Sequence, residues 1–322
     1  MIEISNLTKA YGSKLALDHI GLSVQRGEIV GLLGPNGAGK STTMNILTGY
    51  ISYTSGSVKI DGTDILEQPQ QVKRKIGYLP EQPPLYMDML VKEYLNFAYD
   101  LKKVKSPDKK KHIREIAETV RISDVMDRRI GNLSKGYKQR IGLAQALIGN
   151  PEILILDEPT VGLDPKQILE IRNVIKDLGE DHTVILSSHI LSEISAVCER
   201  VIIIDRGKIV AEDTTENLSK NFSTKTKIML RISGEKDQIE EVLGQIVGVK
   251  KVTFLSAAEE GNFDFEVETN VRIDADFNKQ LFFTFAEKGM PILMQKELEA
   301  SLEDIFLQLT APEQTQQEEE EA

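Results

Sequence analysis

Eight residues constrain this chain more than any others: Gly34-Pro35-Asn36-Gly37-Ala38-Gly39-Lys40-Ser41. They fit the pattern G-x-x-x-x-G-K-[ST] of a phosphate-binding loop. Glycine lets a backbone curl closely around anionic oxygens. Successive N–H groups and the N-terminus of a following helix then present positive partial charge to a phosphate. Residues 27–33 predict a buried strand before the loop, and residues 41–48 predict a helix after it. A glycine-rich turn that matched by accident would have no reason to stand in that context. In such a loop Lys40 reaches the β- and γ-phosphates and Ser41 can ligate Mg²⁺. These eight residues, with Thr42, make up the expected loop set for a nucleotide.

A phosphate loop alone leaves kinases, GTPases, helicases and many ATPases open. The stretch Ile153-Leu154-Ile155-Leu156-Asp157-Glu158 narrows the choice, because it is an apolar strand ending in two carboxylates. Asp157 can hold a Mg²⁺ shell at the C-terminal edge of the strand, where ligands bind in open α/β sheets. Glu158 then stands where a base can orient an attacking water.

Organisation along the chain supports an α/β core. Short apolar strands are expected at 153–156, 184–187 and 201–205, with crossover helices near 166–178 and 191–199. Continuously apolar strands of this length suit a parallel sheet covered on both faces. Residues 86–148 read as a helical subdomain. Within it Val91, Tyr94, Leu95, Ala98 and Leu101 form one amphipathic stripe. Character changes after Lys220. Strands at 227–232, 249–255, 263–267 and 291–294 alternate with helices at 237–246 and 276–288, the second ending at Gly289. The order β-α-β-β-α-β predicts a ferredoxin-like accessory domain. Ser301-Leu302-Glu303-Asp304 predicts a capped final helix. The expected domains are therefore 1–220, 225–310 and a disordered acidic tail at 311–322.

With 322 residues the chain is long enough for two cores, and its formal net charge of −11 disfavours a nucleic-acid surface. The lysine groups Lys102, Lys103, Lys105 and Lys109-Lys110-Lys111 read as solvated helix faces. The single cysteine, Cys198, excludes an internal disulfide, fits a reducing compartment and reads as buried filler. The N-terminus lacks the pattern of a signal peptide, and no apolar run reaches the length of a membrane span.

Leu133-Ser134-Lys135-Gly136-Tyr137-Lys138-Gln139-Arg140 ends 17 residues before Asp157. Here the chain resembles the ATP-binding cassette (ABC) family, whose signature is usually Leu-Ser-Gly-Gly-Gln. Ser134 and Gly136 match, while Lys135 and Tyr137 depart. The resemblance implies that Ser134 and Gly136 contact the γ-phosphate of ATP bound by a second subunit. It also implies that Tyr11 stacks on adenine, that Asp164 lies in a loop crossing the dimer interface, and that His189 contacts the γ-phosphate and links it to Glu158. His19, His112 and His182 match nothing and read as structural. After Gly77-Tyr78-Leu79-Pro80 the family usually has glutamine. Here Glu81 stands there and Gln82 follows, so either could approach the metal or the water. Pro83-Pro84-Leu85-Tyr86-Met87 lies where a membrane partner would dock, or packs on its own helical subdomain.

The resemblance spans roughly 1–220. The later domain is similar to extensions on ATPase subunits of bacterial exporters with separate permeases, including gliding-related and multidrug types. It implies an ATP- and Mg²⁺-dependent homodimer, or a heterodimer with a similar ATPase. Such a dimer would power an integral-membrane permease from the cytoplasmic, inner face of the membrane. The alternatives are a soluble ABC-type ATPase acting as a mechanochemical switch on a non-membrane partner, and a regulatory module that binds ATP without turnover. The presence of Glu158 and His189 argues against the second.

Overall fold

The computed structural model describes residues 1–104, 108–221, 227–259, 261–271, 273–298 and 306. They fall into two compact units, the described residues of Met1–Thr214 and those of Thr215–Gln308. The capping box expected at Ser301 to Asp304, the tail expected over 311–322, and Lys105 lie outside the described residues.

The first unit opens with a long antiparallel pair, β1 (Ile2–Tyr11) and β2 (Lys14–Val24), followed by β3 (Ile29–Leu33) and α1 (Lys40–Leu47). Next come β4 (Ser55–Ile60), β5 (Thr63–Asp64), α2 (Pro69–Arg74) and β6 (Ile76–Leu79). Three helices follow: α3 (Val91–Leu101), α4 (Lys109–Thr119) and α5 (Lys135–Leu147). Then strand and helix alternate through β7 (Ile153–Asp157), α6 (Pro165–Gly179), β8 (Thr183–Ser188), α7 (Leu191–Ser195) and β9 (Arg200–Asp205), before β10 (Lys208–Thr214). The second crossover helix therefore stops at Ser195, short of the expected 199.

Two sheets share one core. The larger has the order β10-β9-β3-β8-β7-β6, and only β10 runs antiparallel to its neighbour. Strands β3, β7 and β8 are buried along their whole length, as expected for parallel strands covered on both faces. The smaller sheet is antiparallel, in the order β2-β1-β4-β5. Ile4, Leu7, Leu17 and Val58 of that sheet join one apolar cluster with Met44 and Ile46 of α1 and Val30, Leu32, Ile155 and Ile202 of the larger sheet. Each such side chain contributes about 1.5–3 kcal/mol on burial, so the helix that follows the phosphate loop is locked in place by packing.

One glycine sets how closely α7 approaches. A Cβ at Gly31, in the middle of β3, would stand 2.3 Å from Ile194 Cγ2 and 3.0 Å from Cys198 Sγ. Cys198 is buried there, and burial pushes its thiol well above the usual range, so it packs rather than reacts.

The helical block departs from expectation in two places. Val91, Tyr94, Leu95 and Ala98 are buried, but Leu101 is 70% exposed and Tyr99 is buried instead. At 100° per residue, Tyr99 and Leu101 sit at opposite edges of the stripe, about 80° either side of Val91. Helix α4 covers the Tyr99 edge, with Lys109 Nζ 5.3 Å from the ring centroid and the His112 ring 5.7 Å away. Lys102 is not simply solvated either. Its stem lies at the surface, while Nζ donates to the carbonyls of Gln145, Ala146 and Ile148 at 3.0, 3.1 and 2.9 Å. It thus caps the C-terminus of α5, where a cation meets the negative end of the helix. Burial of the ammonium lowers its pKa to about 8.

The second unit contains α8 (Thr215–Asn221), β11 (Lys227–Ser233), α9 (Lys236–Gly244), β12 (Val249–Glu259), β13 (Asn262–Thr269), α10 (Ala275–Glu287) and β14 (Ile292–Leu298). From β11 onward this is the expected β-α-β-β-α-β order. Its antiparallel sheet runs β12-β13-β11-β14, the ferredoxin-like arrangement. Ile228, Leu230 and Ile232 alternate inward from β11 and meet Ile239 and Leu243 of α9 and Phe277, Leu281 and Phe285 of α10. Helix α10 ends as expected, with Gly289 in the left-handed region at φ 68°.

Gly31→Val should overpack the α7–β3 contact and destabilise the first unit by about 1–3 kcal/mol, read by chemical denaturation. Pairing it with Ile194→Ala should recover part of that loss; a Gly31→Val protein of unchanged stability would contradict the close approach.

Candidate functional site

The phosphate-loop residues form the turn from β3 into α1. Gly37 and Gly39 have φ of 84° and 116°, a region that side chains rarely enter. At Gly39 space is also closed, since a Cβ would stand 2.7 Å from Leu17 Cδ2. Lys40 is buried although charged. Its Nζ donates to the carbonyls of Gly34 at 2.6 Å and Pro35 at 3.3 Å, and stands 3.4 Å from Glu158 Oε1.

Strand order supplies the other groups. Strand β8 lies between β3 and β7, with Leu33 in register with Ser188 and Asp157 with Ser187. The C-terminal ends of three parallel strands therefore meet beside the loop. Ser187 Oγ donates to Asp157 Oδ1 at 2.6 Å and accepts from the Glu158 N–H at 3.0 Å. Ser41 Oγ donates to the same Asp157 oxygen at 3.3 Å. Glu158 leaves the strand with φ 47°, a left-handed conformation that costs a non-glycine residue about 1–3 kcal/mol. Its Oε2 accepts from His189 Nδ1 at 2.9 Å. A carboxylate only accepts, so Nδ1 carries the proton and Nε2 is the ring nitrogen left for another partner.

An open cleft of about 340 Å³ lies over this constellation. Its lining includes Tyr11, Asn36, Gly37, Gly39, Lys40, Ser41, Thr42, Glu81, Glu158 and His189. Gly34, Pro35, Ala38 and Asp157 are not among the lining residues, and of the pair that follows Pro80 Glu81 lines the cleft whereas Gln82 does not. Ser41 lines the cleft and Asp157 stands behind it at hydrogen-bonding distance, so the two offer adjacent hard oxygens, a donor set that fits Mg²⁺ held partly by a substrate's phosphates.

Ser134, Gly136 and Asp164 do not line this cleft. Ser134 caps α5, accepting from the Tyr137 N–H at 3.4 Å, and Asp164 caps α6, accepting from the Gln167 N–H at 2.9 Å. The two helix starts touch, for a Cβ at Gly136 would stand 2.7 Å from the Gln167 side chain. At the two departures from the usual signature, Lys135 lays its ammonium against Gly162, and the Tyr137 hydroxyl donates to Asp124 Oδ2 at 2.7 Å. Sequence reasoning gave Ser187 no role of its own; the alternation of a parallel strand could have placed it, but only once β8 was known to adjoin β7.

A phosphate loop on a parallel sheet, a buried lysine, a carboxylate pair and a histidine define a nucleotide-hydrolysing cassette. Residues 17–161 match the family described as ABC transporter. The chain is 33% identical over 315 residues to the linearmycin resistance ATP-binding protein LnrL of Bacillus subtilis (strain 168), covering 96% of this chain and 98% of that relative. It is 36% identical over 315 residues to the bacitracin transport ATP-binding protein BcrA of Bacillus licheniformis, covering 96% and 97%. Among solved structures, a dimeric post-hydrolysis state of the ATP-binding cassette MJ0796 bound to ADP and Pi is similar at TM-score 0.61 and 29% identity, over 66% of this chain and 98% of that one. The chain belongs to the ABC transporter family, as an ATP-binding ATPase subunit.

Ser187→Ala should leave the buried Glu158 N–H unpaired, lowering stability by about 1–3 kcal/mol. ATP turnover should fall with it, measured by phosphate release; full turnover would show that Asp157 and Glu158 do not need this bridge.

Proposed function

We propose that this chain binds MgATP in the cleft at the β3–α1 loop and, as a nucleotide-closed dimer, powers a separate integral-membrane permease that exports an antibiotic-type compound. The observation that carries the reading is the run of contacts from Lys40 through Glu158 to His189 at the mouth of the cleft. The names of the relatives, bacitracin transport and linearmycin resistance, support export and the class of cargo. In this reading the hydrolytic cycle belongs to residues 1–220, residues 225–310 form an accessory domain, and the subunit works on the inner face of the membrane. No helix among the described residues is long and apolar enough to cross a membrane.

Tyr11, half-exposed at the end of β1, supplies a face for adenine. The glycines and N–H groups of the loop cradle the phosphates, and Lys40 exchanges its carbonyl partners for phosphate oxygens. Ser41 and Asp157, with Glu81 at the edge of the cleft, would hold Mg²⁺, which would supply positive charge against the phosphate oxygens. Glu158 accepts a proton from the attacking water, and His189, fixed through Nδ1–H, would meet the γ-phosphate in its doubly protonated form, with Nε2–H as the donor. Ser134 and Gly136 face a second copy, so two chains closing head to tail complete two sites, with Asp164 near the seam. Tyr86, against Tyr94 and Phe97 of α3 yet more than half exposed, and Met87 beside it offer the permease an apolar contact anchored on the helical block.

Glu158→Gln should bind ATP, hydrolyse it about 10²–10⁴-fold more slowly and accumulate dimer on size-exclusion chromatography. Lys40→Ala should weaken ATP binding in calorimetry. Tagged chain purified from detergent-solubilised host membranes should retain a stoichiometric polytopic protein; recovery of ribosomes, DNA-binding proteins or nothing would overturn the transporter assignment.

A further inference from the structure

One buried carboxylate has no part in the chemistry above. Glu193, on α7, is 5% exposed, and among the described residues no lysine, arginine or histidine forms an ion pair with it. Its Oε2 accepts instead from two hydroxyls, Thr160 Oγ1 and Ser188 Oγ, the latter at 3.2 Å. Burying an unpaired charge is costly, and packing alone would be served better by an apolar side chain. Both donors belong to turns that carry reacting groups.

Thr160 follows Glu158 by two residues. The turn between them is tight, with the Val161 N–H donating to the Glu158 carbonyl at 3.2 Å and the Leu163 N–H to the Thr160 carbonyl at 3.2 Å. Ser188 directly precedes His189, and its Oγ also accepts from the Ile190 N–H at 3.0 Å. The Glu193 N–H donates to the Ile190 carbonyl at 3.2 Å. Glu193 therefore grips the His189 turn at both ends, by side chain on Ser188 and by backbone on Ile190. Through Thr160 it holds the Glu158 turn as well. An acceptor-only group suits this junction, because both neighbours arrive as donors.

We propose that Glu193 is a positioning residue for ATP hydrolysis: it ties the turn bearing Glu158 to the turn bearing His189 and keeps that pair at hydrogen-bonding distance. The proposal rests on the roles assigned to Glu158 and His189 above. Losing the tie lets the two turns drift, and a displacement of about 1 Å in a reacting group can cost about 10²-fold in rate. Nucleotide binding, made by Tyr11 and the phosphate loop, is untouched.

The test compares Glu193→Ala, Glu193→Gln, Thr160→Val and the double variant Thr160→Val/Glu193→Ala with wild type and Glu158→Gln. Phosphate release, affinity for a fluorescent ATP analogue and thermal unfolding are measured on each. Glu193→Ala and Thr160→Val should each lower kcat by up to about 10²-fold with affinity unchanged. The double variant should be no worse than the poorer single one, and Glu193→Gln, which keeps one acceptor oxygen, should retain intermediate kcat. Wild-type kcat in folded Glu193→Ala, or losses that add in the double variant, would overturn the proposal. Should Glu193→Ala fail to fold, Glu193→Gln and Thr160→Val decide the matter by the same split between kcat and affinity. An inactive Glu158→Gln beside a fully active Glu193→Ala defeats only the role of Glu193. An active Glu158→Gln defeats the base assignment, and this proposal with it.

Discussion

A lysine ammonium buried in a protein has to be surrounded by oxygen, and much of the first unit can be understood as meeting that requirement at Lys40. Two of its oxygens are backbone carbonyls of its own loop and the third is a carboxylate oxygen of Glu158. Glycines at 37 and 39 give the same loop backbone angles that side chains rarely allow. The carboxylate arrives from β7, two strands away, and can do so because β8 intervenes and its Ser187 bridges to Asp157 and to the Glu158 backbone. The arrangement is also poised. In the proposed function phosphate oxygens would take the place of the two carbonyls at Lys40, so the contacts that hold the lysine within its own loop are those a nucleotide would exchange.

What the sequence made legible follows from how local each signal is. The phosphate loop and the paired carboxylates at the end of β7 are each set by a few adjacent residues, and each stands where the pattern placed it. The β-α-β-β-α-β order of the second unit was readable for the same reason, since alternation at Phe263, Phe265 and Val267 in β13 and a glycine after α10 are short-range marks. Non-local facts were not readable. Nothing in the spacing says that β8 separates β3 from β7, so the bridge through Ser187 had no visible cause. Leu101 and Tyr99 were equivalent on helical periodicity, and the choice was made by α4. Lys102 looked like one more surface lysine because its partners are carbonyls, which every sequence has everywhere. Thr160 and Glu193, 33 residues apart, meet only through the fold.

The placement of Ser134 and Gly136 bears on why a single chain is proposed to be half of a site. A helix N-terminus stabilises an anion only within its first turn. Both residues belong to the start of α5, and neither is among those that line the cleft of their own chain. Lys102 secures the far end of that helix by three hydrogen bonds, so α5 is fixed at its C-terminus. Tyr137 and Lys135, the departures from the usual signature, turn to Asp124 and Gly162 within the same chain. That leaves Ser134, exposed at the start of the helix, as the signature residue for a second copy to meet in the proposed dimer.

Strain at Glu158 completes the argument for hydrolysis as the role of this cleft. A left-handed glutamate is unfavourable by itself and persists only where its surroundings over-determine it. Here four contacts do so: Ser187 on its N–H, Val161 on its carbonyl, and Lys40 and His189 on its two carboxylate oxygens. A cassette that merely bound nucleotide would need the loop and Asp157, and could let the chain leave β7 in an ordinary conformation. Holding a carboxylate off the strand, between Lys40 and His189, places an acceptor beside the proposed phosphate site at a conformational cost that binding alone does not require. The conformation therefore favours a group that handles a proton over one that only fills the end of a strand.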